Sequence, residues 1–399
     1  MEELAGKRIV LGLTGGVACY KAAELARGLS KAGASVQVVM TQSALQFITP
    51  TTMQALTGQP VFTDQWDARI DNNMPHIDLT RDVDAILIAP CTANFIAKLA
   101  NGICDDLLST LCVARQSTLP LMIAPAMNVE MWQNPATQRN ARRVQEDHIV
   151  LLGPDAGEQA CGETGMGRML EPEQLIEELV ASFQPKIMSG KRVLVTAGPT
   201  FEPIDPVRGI TNLSSGKMGY AVARAAREAG ADVTLVSGPT VLPTPHGVQR
   251  INVQTAEQMY DVVMTHIAAQ QIFIAVAAVA DWRVANVSEQ KLKKDTVGDF
   301  PELHFELSHD ILAEVAALPN KPYCVGFAAE SEQLLQNGES KRKKKGIPLL
   351  VGNIGHRTFG KDDNELILFD DSGQTHLPLA DKLSLARRLI AEVARRVGS

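Results

Sequence analysis

The chain of 399 residues has no Cys-x-x-Cys pair, and its six cysteines, Cys19, Cys91, Cys104, Cys112, Cys161 and Cys324, are scattered. With no secretion signal to read, they are expected to be reduced thiols and not a disulfide framework. No apolar run approaches the ~20 residues that a membrane helix requires. Basic residues are in deficit, 38 Lys and Arg against 45 Asp and Glu, and the net charge of −7 gives no electrostatic argument for nucleic acid. The opening MEELAGKRIV is acidic and enters a strand almost at once. It does not read as a signal peptide, and a cytoplasmic protein is expected. Sequons at Asn212 and Asn286 carry no weight in such a chain. What remains, 45% hydrophobic and 21% charged residues, is an ordinary soluble globular composition. The length suggests two or three domains at ~150 residues each.

The chain begins twice. Lys7-Arg8 leads into the apolar run Ile9–Leu13 and then Thr14-Gly15-Gly16. Lys191-Arg192 leads into Val193–Thr196 and then Ala197-Gly198-Pro199. Each unit continues through an apolar helix to a matching end, Lys31-Ala32-Gly33-Ala34-Ser35-Val36 in one and Glu228-Ala229-Gly230-Ala231-Asp232-Val233 in the other. Strand, Gly loop, helix, Gly, strand opens a doubly wound α/β domain. The predicted fold is α/β: two Rossmann-like or flavodoxin-like domains with mostly parallel sheets, fused in tandem over residues 1–189 and 190–399, with 184–191 as linker. From Lys7 to Gly33 is 27 residues and from Lys191 to Gly230 is 40, so the second opening carries 13 extra.

In the first half, Thr14-Gly15-Gly16-Val17 opens a helix predicted over 18–31. Glycines let backbone N–H groups approach an anion, the Thr14 hydroxyl adds a donor, and the helix N-terminus adds partial positive charge. The loop is neither G-x-G-x-x-G nor a Walker loop, and similar loops cap α/β folds that bind nothing. Strands predicted over 35–40, 85–89 and 119–124 end in Thr41-Gln42-Ser43, Pro90-Cys91-Thr92-Ala93-Asn94 and Pro125-Ala126-Met127-Asn128. Small, hydroxyl and amide residues at the edge where parallel sheets bind ligands favour a nucleotide-like or flavin ligand. His76, alone in Met74-Pro75-His76-Ile77-Asp78-Leu79, reads as structural on spacing. The glycine-rich stretch Ala160–Met169 reads as a flap. Its Cys161 thiol, near Arg168, is either a proton donor or nucleophile, or incidental.

These residues carry a resemblance. TGGVACYK at 14–21, PHIDL at 75–79, APCTANF at 89–95, NGICDDLLSTL at 101–111, PAMN at 125–128 and ACGETGMGRM at 160–169 keep one order over about residues 5–182. The half resembles the flavin-dependent cysteine decarboxylases, phosphopantothenoylcysteine decarboxylases above all. The resemblance implies an FMN site built partly from Thr14, Gly15, Gly16, Thr41, Thr92 and Asn94. It implies His76 as the catalytic histidine, Asn128 as the contact to the substrate carboxylate and Cys161 as the proton donor. It also implies a trimeric or higher assembly with FMN at subunit interfaces. Cys19 and Cys91 stand where alanine is common. The residue types suit the chemistry. Loss of CO2 from a cysteine carboxylate needs an electron sink, which oxidation of the thiol by FMN creates. The carbon must then regain a proton, and a thiol with an unperturbed pKa of ~8.5 carries one at neutral pH. The net reaction is redox-neutral and needs no nicotinamide.

In the second half, Pro199–Arg208 is a proline-rich loop that cannot be helix. Ser214-Ser215-Gly216-Lys217 hints at a P-loop, but Thr211 and Met218 stand where a Walker loop needs Gly and Ser/Thr. It reads as an anion-binding helix N-terminus of another kind. A buried strand is predicted over 272–279, followed by Ala280-Asp281-Trp282. The basic runs Lys291-Leu292-Lys293-Lys294 and Lys341–Lys345 are either solvated faces or counter-charges to a triphosphate.

AGPTFEPIDPVRGITNLSSGKMG at 197–219, AAVADW at 277–282, KLKK at 291–294, GFAAE at 326–330 and the lysines ending at Lys345 resemble phosphopantothenate–cysteine ligases, from about Lys191 onward. Ligase behind decarboxylase is the arrangement of bacterial bifunctional coenzyme A enzymes, whose members use CTP. The resemblance implies Asn212 acting on an acyl-cytidylate and Lys291 in the first half-reaction. It implies Asp281, Phe327, Lys341 and Lys345 holding CTP with Lys291, together with the segment Ser308, Asp310 and Ile311, and Mg2+ accompanying the nucleotide. Lysines and Mg2+ stabilise charge developing at the α-phosphate. Such ligases pair as dimers, so trimers joined by dimers would build a cage-like homo-oligomer such as a dodecamer. The expected partners are phosphopantothenate, cysteine and CTP. Ser308-His309-Asp310-Ile311 stands where Asn-Pro-Asp-Ile is common, and Asn353-Ile354 where Asn-Asp is usual. Metal ligands are not legible. The competing reading, a flavodoxin-like electron carrier fused to a nucleotide-binding module, leaves Asn128 and the Cys161 flap unexplained.

Overall fold

Each of the two strand–glycine openings starts its own parallel sheet. A computed structural model describes residues 2–67, 69, 74–292, 302–330, 334–354 and 362–398, so Lys293 and Lys294 lie outside the described residues. The chain divides into two compact units, Met1–Ser182 and Phe183–Ser399.

In the first unit, β1 (Arg8–Leu13), β2 (Ser35–Met40), β3 (Ala85–Cys91), β4 (Leu121–Pro125) and β5 (Val150–Leu151) lie in the order β2-β1-β3-β4-β5, all parallel. This is the flavodoxin-like order, with its topological switch point between β1 and β3. All seven residues of β3 are buried, as a parallel strand covered on both faces must be. The helix Ala93–Asn101 shows why the sequence turns where it does. The Thr92 side chain caps its start by accepting from Phe95 N, and Gly102 ends it at φ 65°. The expected flap is a hairpin of β6 (Asp155–Glu158) and β7 (Thr164–Arg168).

The second unit contains β8 (Arg192–Ala197), the hairpin β9 (Phe201–Pro203) and β10 (Gly209–Thr211), β11 (Asp232–Ser237), β12 (Gln249–Asn252), β13 (Ile272–Ala275), the pair β14 (Trp282–Val284) and β15 (Phe305–Leu307), β16 (Tyr323–Glu330), β17 (Leu349–Ile354), β18 (Asp363–Asp370) and β19 (Gly373–Asp381). Its main sheet runs β12-β11-β8-β13-β16-β17-β18-β19. The first six strands are parallel and the last two antiparallel. Counted in chain order the parallel six stand 3-2-1-4-5-6, the Rossmann order.

Period-two burial explains how this sheet holds helices on both sides. Val193, Val195, Ile272, Ile274, Val325 and Val351 join the core under the helices Lys217–Glu228 and Lys382–Val397. Leu194, Phe273, Cys324 and Leu350 point the other way, under the helices Ala256–His266 and Ile311–Ala316.

The strand expected over 272–279 stops at Ala275. Beyond it the backbone pairs with the loop after β8. Ala278 N donates to Gly198 O at 2.9 Å, and Thr200 N donates to Ala278 O at 3.2 Å. Val276 N still donates to Thr196 O of β8 at 3.2 Å, residues 277–279 then leave the sheet, and all four line a crevice at its carboxyl edge.

The expected linker contains Met188, which is 1% exposed in the core of the second unit and donates its N–H to Ala229 O at 2.8 Å. A fragment beginning at Phe183 keeps this anchor; one beginning at Gly190 loses it. Removing a buried methionine costs about 2–5 kcal/mol. The shorter fragment is therefore expected to unfold at a urea midpoint lower by about 1 M. Equal midpoints would show that Met188 contributes nothing.

Candidate active sites

At the switch point of the first unit, β1 and β3 part, and Thr14 bridges them. Its hydroxyl donates to Pro90 O at 2.8 Å and accepts from Thr92 N at 3.0 Å. Thr14 is 2% exposed and its one hydrogen is committed to Pro90, so it fixes the strand ends and is not the expected donor to an anion. The donors are backbone groups instead. The N–H groups of Gly15, Gly16, Val17 and Ala18 have no acceptor among the described residues, and no side chain caps the helix Cys19–Lys31. Four such groups at a helix start suit a phosphate. Gly15 is required by packing, since a Cβ there would lie 2.4 Å from Ser43 Cβ. A Cβ on Gly16 would meet nothing nearer than Thr92 at 4.0 Å. Thr41 Oγ1 accepts from Ala44 N at 3.3 Å in the loop after β2, and Asn94 is exposed at the start of the helix after β3. Thr14, Gly15, Gly16, Thr41, Thr92 and Asn94 thus sit on loops and a helix start at the carboxyl ends of β1, β2 and β3.

Asn128 caps the short helix Val129–Gln133, accepting from Met131 N at 2.9 Å. Its Nδ2 donates to Glu163 Oε2 at 2.7 Å, and the same carboxylate oxygen is 3.5 Å from Cys161 Sγ. The hairpin is docked through Met127 N to Gly167 O at 3.0 Å and Val129 N to Gln159 Oε1 at 2.9 Å. Gly167 permits this approach, for a Cβ would lie 2.3 Å from Met127 O. Asn128 and Cys161 are thus joined through Glu163, a residue that the sequence reading passed over inside its own motif. His76 stands apart on the short helix Pro75–Asp78, and among the described residues no hydrogen bond joins it to that network. Cys19 and Cys91 are packing residues. Cys19 Sγ donates to Thr14 O at 3.2 Å, and burial pushes the thiols of Cys19, Cys91 and Cys112 up, Cys112 to about 12.

In the second unit a cavity of about 650 Å³ lies at the carboxyl edge of the sheet. It gathers Asn212, Asp281, Asp310, Phe327, Lys341 and Lys345 from the expected set. The basic run divides by helical spacing, because it lies in the helix Leu334–Lys345. Lys341, Lys344 and Lys345 line the cavity, while Arg342 is 5% exposed and pairs with Glu339 and Asp371. Asp310 caps the helix Ile311–Ala316 and pairs with Lys345 at 2.8 Å. Asn212 Nδ2 donates to Ala278 O at 2.9 Å.

Three expected residues do not line the cavity. The Ile311 side chain is 6% exposed in the core, which leaves only its backbone for a ligand. Ser308 donates its N–H to Asp281 O at 2.9 Å, and its buried hydroxyl has no partner among the described residues. Lys291 is exposed on a segment held from behind. Asp205, 2% exposed, accepts from Leu292 N at 3.2 Å and from Val207 and Arg208 N at 2.8 Å. Arg208 Nη2 returns a bond to Leu292 O at 2.8 Å. The Arg208 guanidinium, aided by these backbone N–H groups and opposed by burial, holds the Asp205 carboxyl well below the usual carboxylate range.

The sequence reading also missed Lys217 as a side chain, and Lys382 altogether. Both line the cavity, and Lys217 pairs with Asp362 at 2.6 Å. Burial, then the nearby Lys217 charge, pulls the Lys382 ammonium below the usual lysine range.

Residues 1–184 match the family described as Flavoprotein, and residues 188–397 the DNA/pantothenate metabolism flavoprotein C-terminal domain. The coenzyme A biosynthesis bifunctional protein CoaBC of Vibrio cholerae is 50% identical over 390 residues, covering 97% of each chain. The chain belongs to the CoaBC family. The CoaBC protein of Escherichia coli K12 is 45% identical over 400 residues, 99% of this chain and 98% of its own. A solved C-terminal domain of a CoaBC protein is 34% identical and covers 53% of this chain and 98% of its own, with a TM-score of 0.46. As a CoaBC protein the chain is a bifunctional enzyme of coenzyme A biosynthesis, with a decarboxylase half and a ligase half.

The Asp205 bond to Leu292 N is testable without turnover. Asp205→Ala is expected to speed hydrogen exchange at the Leu292 amide at least about tenfold relative to β8. A carboxyl whose folded pKa is depressed keeps its contribution above the unfolded value of ~3.9 and loses it as pH falls through the lower folded value. In the unsubstituted chain Leu292 protection should therefore persist from pH 8 to below 4. Protection lost between pH 5 and 4 would contradict the depressed pKa.

Proposed function

We propose that this CoaBC enzyme condenses 4′-phosphopantothenate with cysteine, driven by CTP, in residues 190–399 and decarboxylates the product in residues 1–189. The observation that carries the ligase assignment is the lysine-lined cavity holding Asn212 at a Rossmann switch point. A carboxylate condenses with an amine only once one of its oxygens can leave, here with the nucleotide. Lys341, Lys344, Lys345, Lys217 and Lys382 supply the counter-charge to a triphosphate, with Mg2+ carried on the nucleotide phosphates. Phe327 and the 308–311 segment take the base and ribose end. Lys291, a mobile point charge, serves the step in which pyrophosphate leaves. Asn212, with both a donor and an acceptor, holds the acyl-cytidylate carbonyl while cysteine attacks.

In the decarboxylase half the backbone cradle of residues 15–18 fits the FMN phosphate, with Thr41, Thr92 and Asn94 around it. When bound, FMN supplies the oxidation of the substrate thiol that makes loss of CO2 possible. Asn128 orients the leaving carboxylate, His76 is the catalytic histidine, and Cys161 delivers the proton that completes the product. We further propose a cytoplasmic homo-oligomer, decarboxylase trimers linked by ligase dimers into a dodecamer.

Incubation with phosphopantothenate, cysteine and CTP should release pyrophosphate and then CO2. An electron carrier with a nucleotide-binding module would release neither. Lys291→Gln should stop formation of the acyl-cytidylate. Asn212→Asp should form it and fail to consume it, slowed by roughly 10²–10³ because it loses a donor and adds charge near the oxyanion. Mass spectrometry of quenched mixtures reads both, and the reverse pattern would exchange the two roles. Cys161→Ser should release CO2 once and leave an oxidised enethiol in place of 4′-phosphopantetheine, because a hydroxyl is a far poorer acid. His76→Asn should release little CO2 at all. Normal turnover by the serine variant would remove Cys161 from the mechanism.

A further inference from the structure

We propose that the Glu163 carboxylate competes with the substrate's carboxylate for the side-chain amide of Asn128, which makes Glu163 a positioning residue that sets substrate affinity and governs release of the Cys161 thiol. The proposal rests on the decarboxylase reading above. The geometry leaves Asn128 little choice. Its Oδ1 is committed to Met131 N at 2.9 Å in the helix cap, so the orientation of the amide is fixed and Nδ2 must serve any carboxylate. Nδ2 already donates to Glu163 Oε2 at 2.7 Å. Two carboxylates on one NH2 group would bring like charges within a few ångströms, which disfavours both being ionised there at once. Nδ2 has a second hydrogen, but sharing the group would bring the two charges together, so substrate entry favours Glu163 swinging aside.

The side chain is placed to do so. Glu163 is exposed, at the tip of the β6–β7 hairpin. The hairpin's hold on Met127 and Val129 runs through Gly167 O and Gln159 Oε1, and the Gln159–Glu163 turn closes through backbone, Gln159 N to Glu163 O at 2.8 Å. The same Oε2 atom lies 3.5 Å from Cys161 Sγ, so its departure leaves the thiol only the longer contact to Gln159 Oε1 at 3.9 Å. The substrate's carboxylate thereby loosens the hold on the proton donor that its own decarboxylation will need. The apparent affinity is reduced by the fraction of molecules in which Glu163 holds Asn128.

The test compares full-length wild type, Glu163→Ala and Glu163→Gln. It measures KM for phosphopantothenoylcysteine and the inhibition constant of 4′-phosphopantetheine, which lacks the carboxylate. Removing a charge-assisted contact that the substrate must displace should lower KM in the alanine variant by about tenfold. Glutamine, which keeps the reach but not the charge, should fall between. The product constant should stay within about twofold throughout, because the product does not need Asn128. A KM that rises or stays level, or a parallel shift of both constants, overturns the competition and leaves Glu163 a structural residue of the flap. Circular dichroism of the alanine variant separates misfolding from either result. No CO2 from the wild-type chain would instead overturn the decarboxylase reading itself.

Discussion

Both halves depend on one constraint: a parallel sheet whose strand order reverses must part its neighbouring chains at the carboxyl edge. In the first unit this happens between β1 and β3, and in the second between β8 and β13. Parting exposes backbone groups that the ladder no longer pairs, and buried groups of that kind must find partners. Threonines meet the need in both units. Thr14 joins Pro90 O to Thr92 N. Thr200, fully buried, accepts from Ala280 N at 3.0 Å, while Thr211 donates to Thr200 O at 2.7 Å. The crevices are thereby held open by internal hydrogen bonds, and the loops at their rims keep backbone N–H groups and lysines for a ligand.

Around those crevices, charged groups already have polar or oppositely charged partners. Glu163 faces Asn128 and Cys161, Asp310 faces Lys345, and Lys217 faces Asp362. These pairs are largely exposed, so each contributes little to stability. They preset geometry instead. A ligand of the right charge exchanges partners with them and does not have to order loose side chains, which lowers the entropy cost of binding.

The sequence made the doubled opening legible because strand, Gly loop and helix are local signals. Strand orders were not legible, since pairing β8 with β13 depends on contacts some 80 residues apart. The overrun of the predicted strand past Ala275 has the same cause: Val276 to Val279 are apolar enough for a strand, but beyond the Val276 bond to Thr196 O the backbone pairs with the loop around Gly198. The lysine run was read as one block, whereas helical spacing sends Lys341, Lys344 and Lys345 one way and Arg342 another. That signal was present and needed only the helix to be recognised. Glu163 was visible within its motif, yet nothing local says that its carboxylate meets Asn128. Asp205 lay in a stretch read only as proline-rich loop. Lys382 stands far from every other cavity residue except Asn364 and Asn353, and no pattern announces it.

Lys382 shows how much positive charge the cavity of the second unit gathers. The residue is 8% exposed and its ammonium feels the Lys217 charge, and both burial and that like charge oppose ionisation. Asp362 and Asp363 offset this only in part. In a chain of net charge −7, five lysines around one cavity are a local excess of positive charge, not a reflection of composition. Concentrating like charge where water is partly excluded costs stability in the protein alone. The cost is reversed when a polyanion enters, because each phosphate oxygen near Lys217 and Lys382 favours the charged form that burial disfavours. On the proposed ligase reading the site would select by electrostatics before any base contact is made: a neutral nucleoside would gain nothing there, and a triphosphate would gain most. On that reading the same field would draw the reactive phosphate toward the crevice where Asn212 stands.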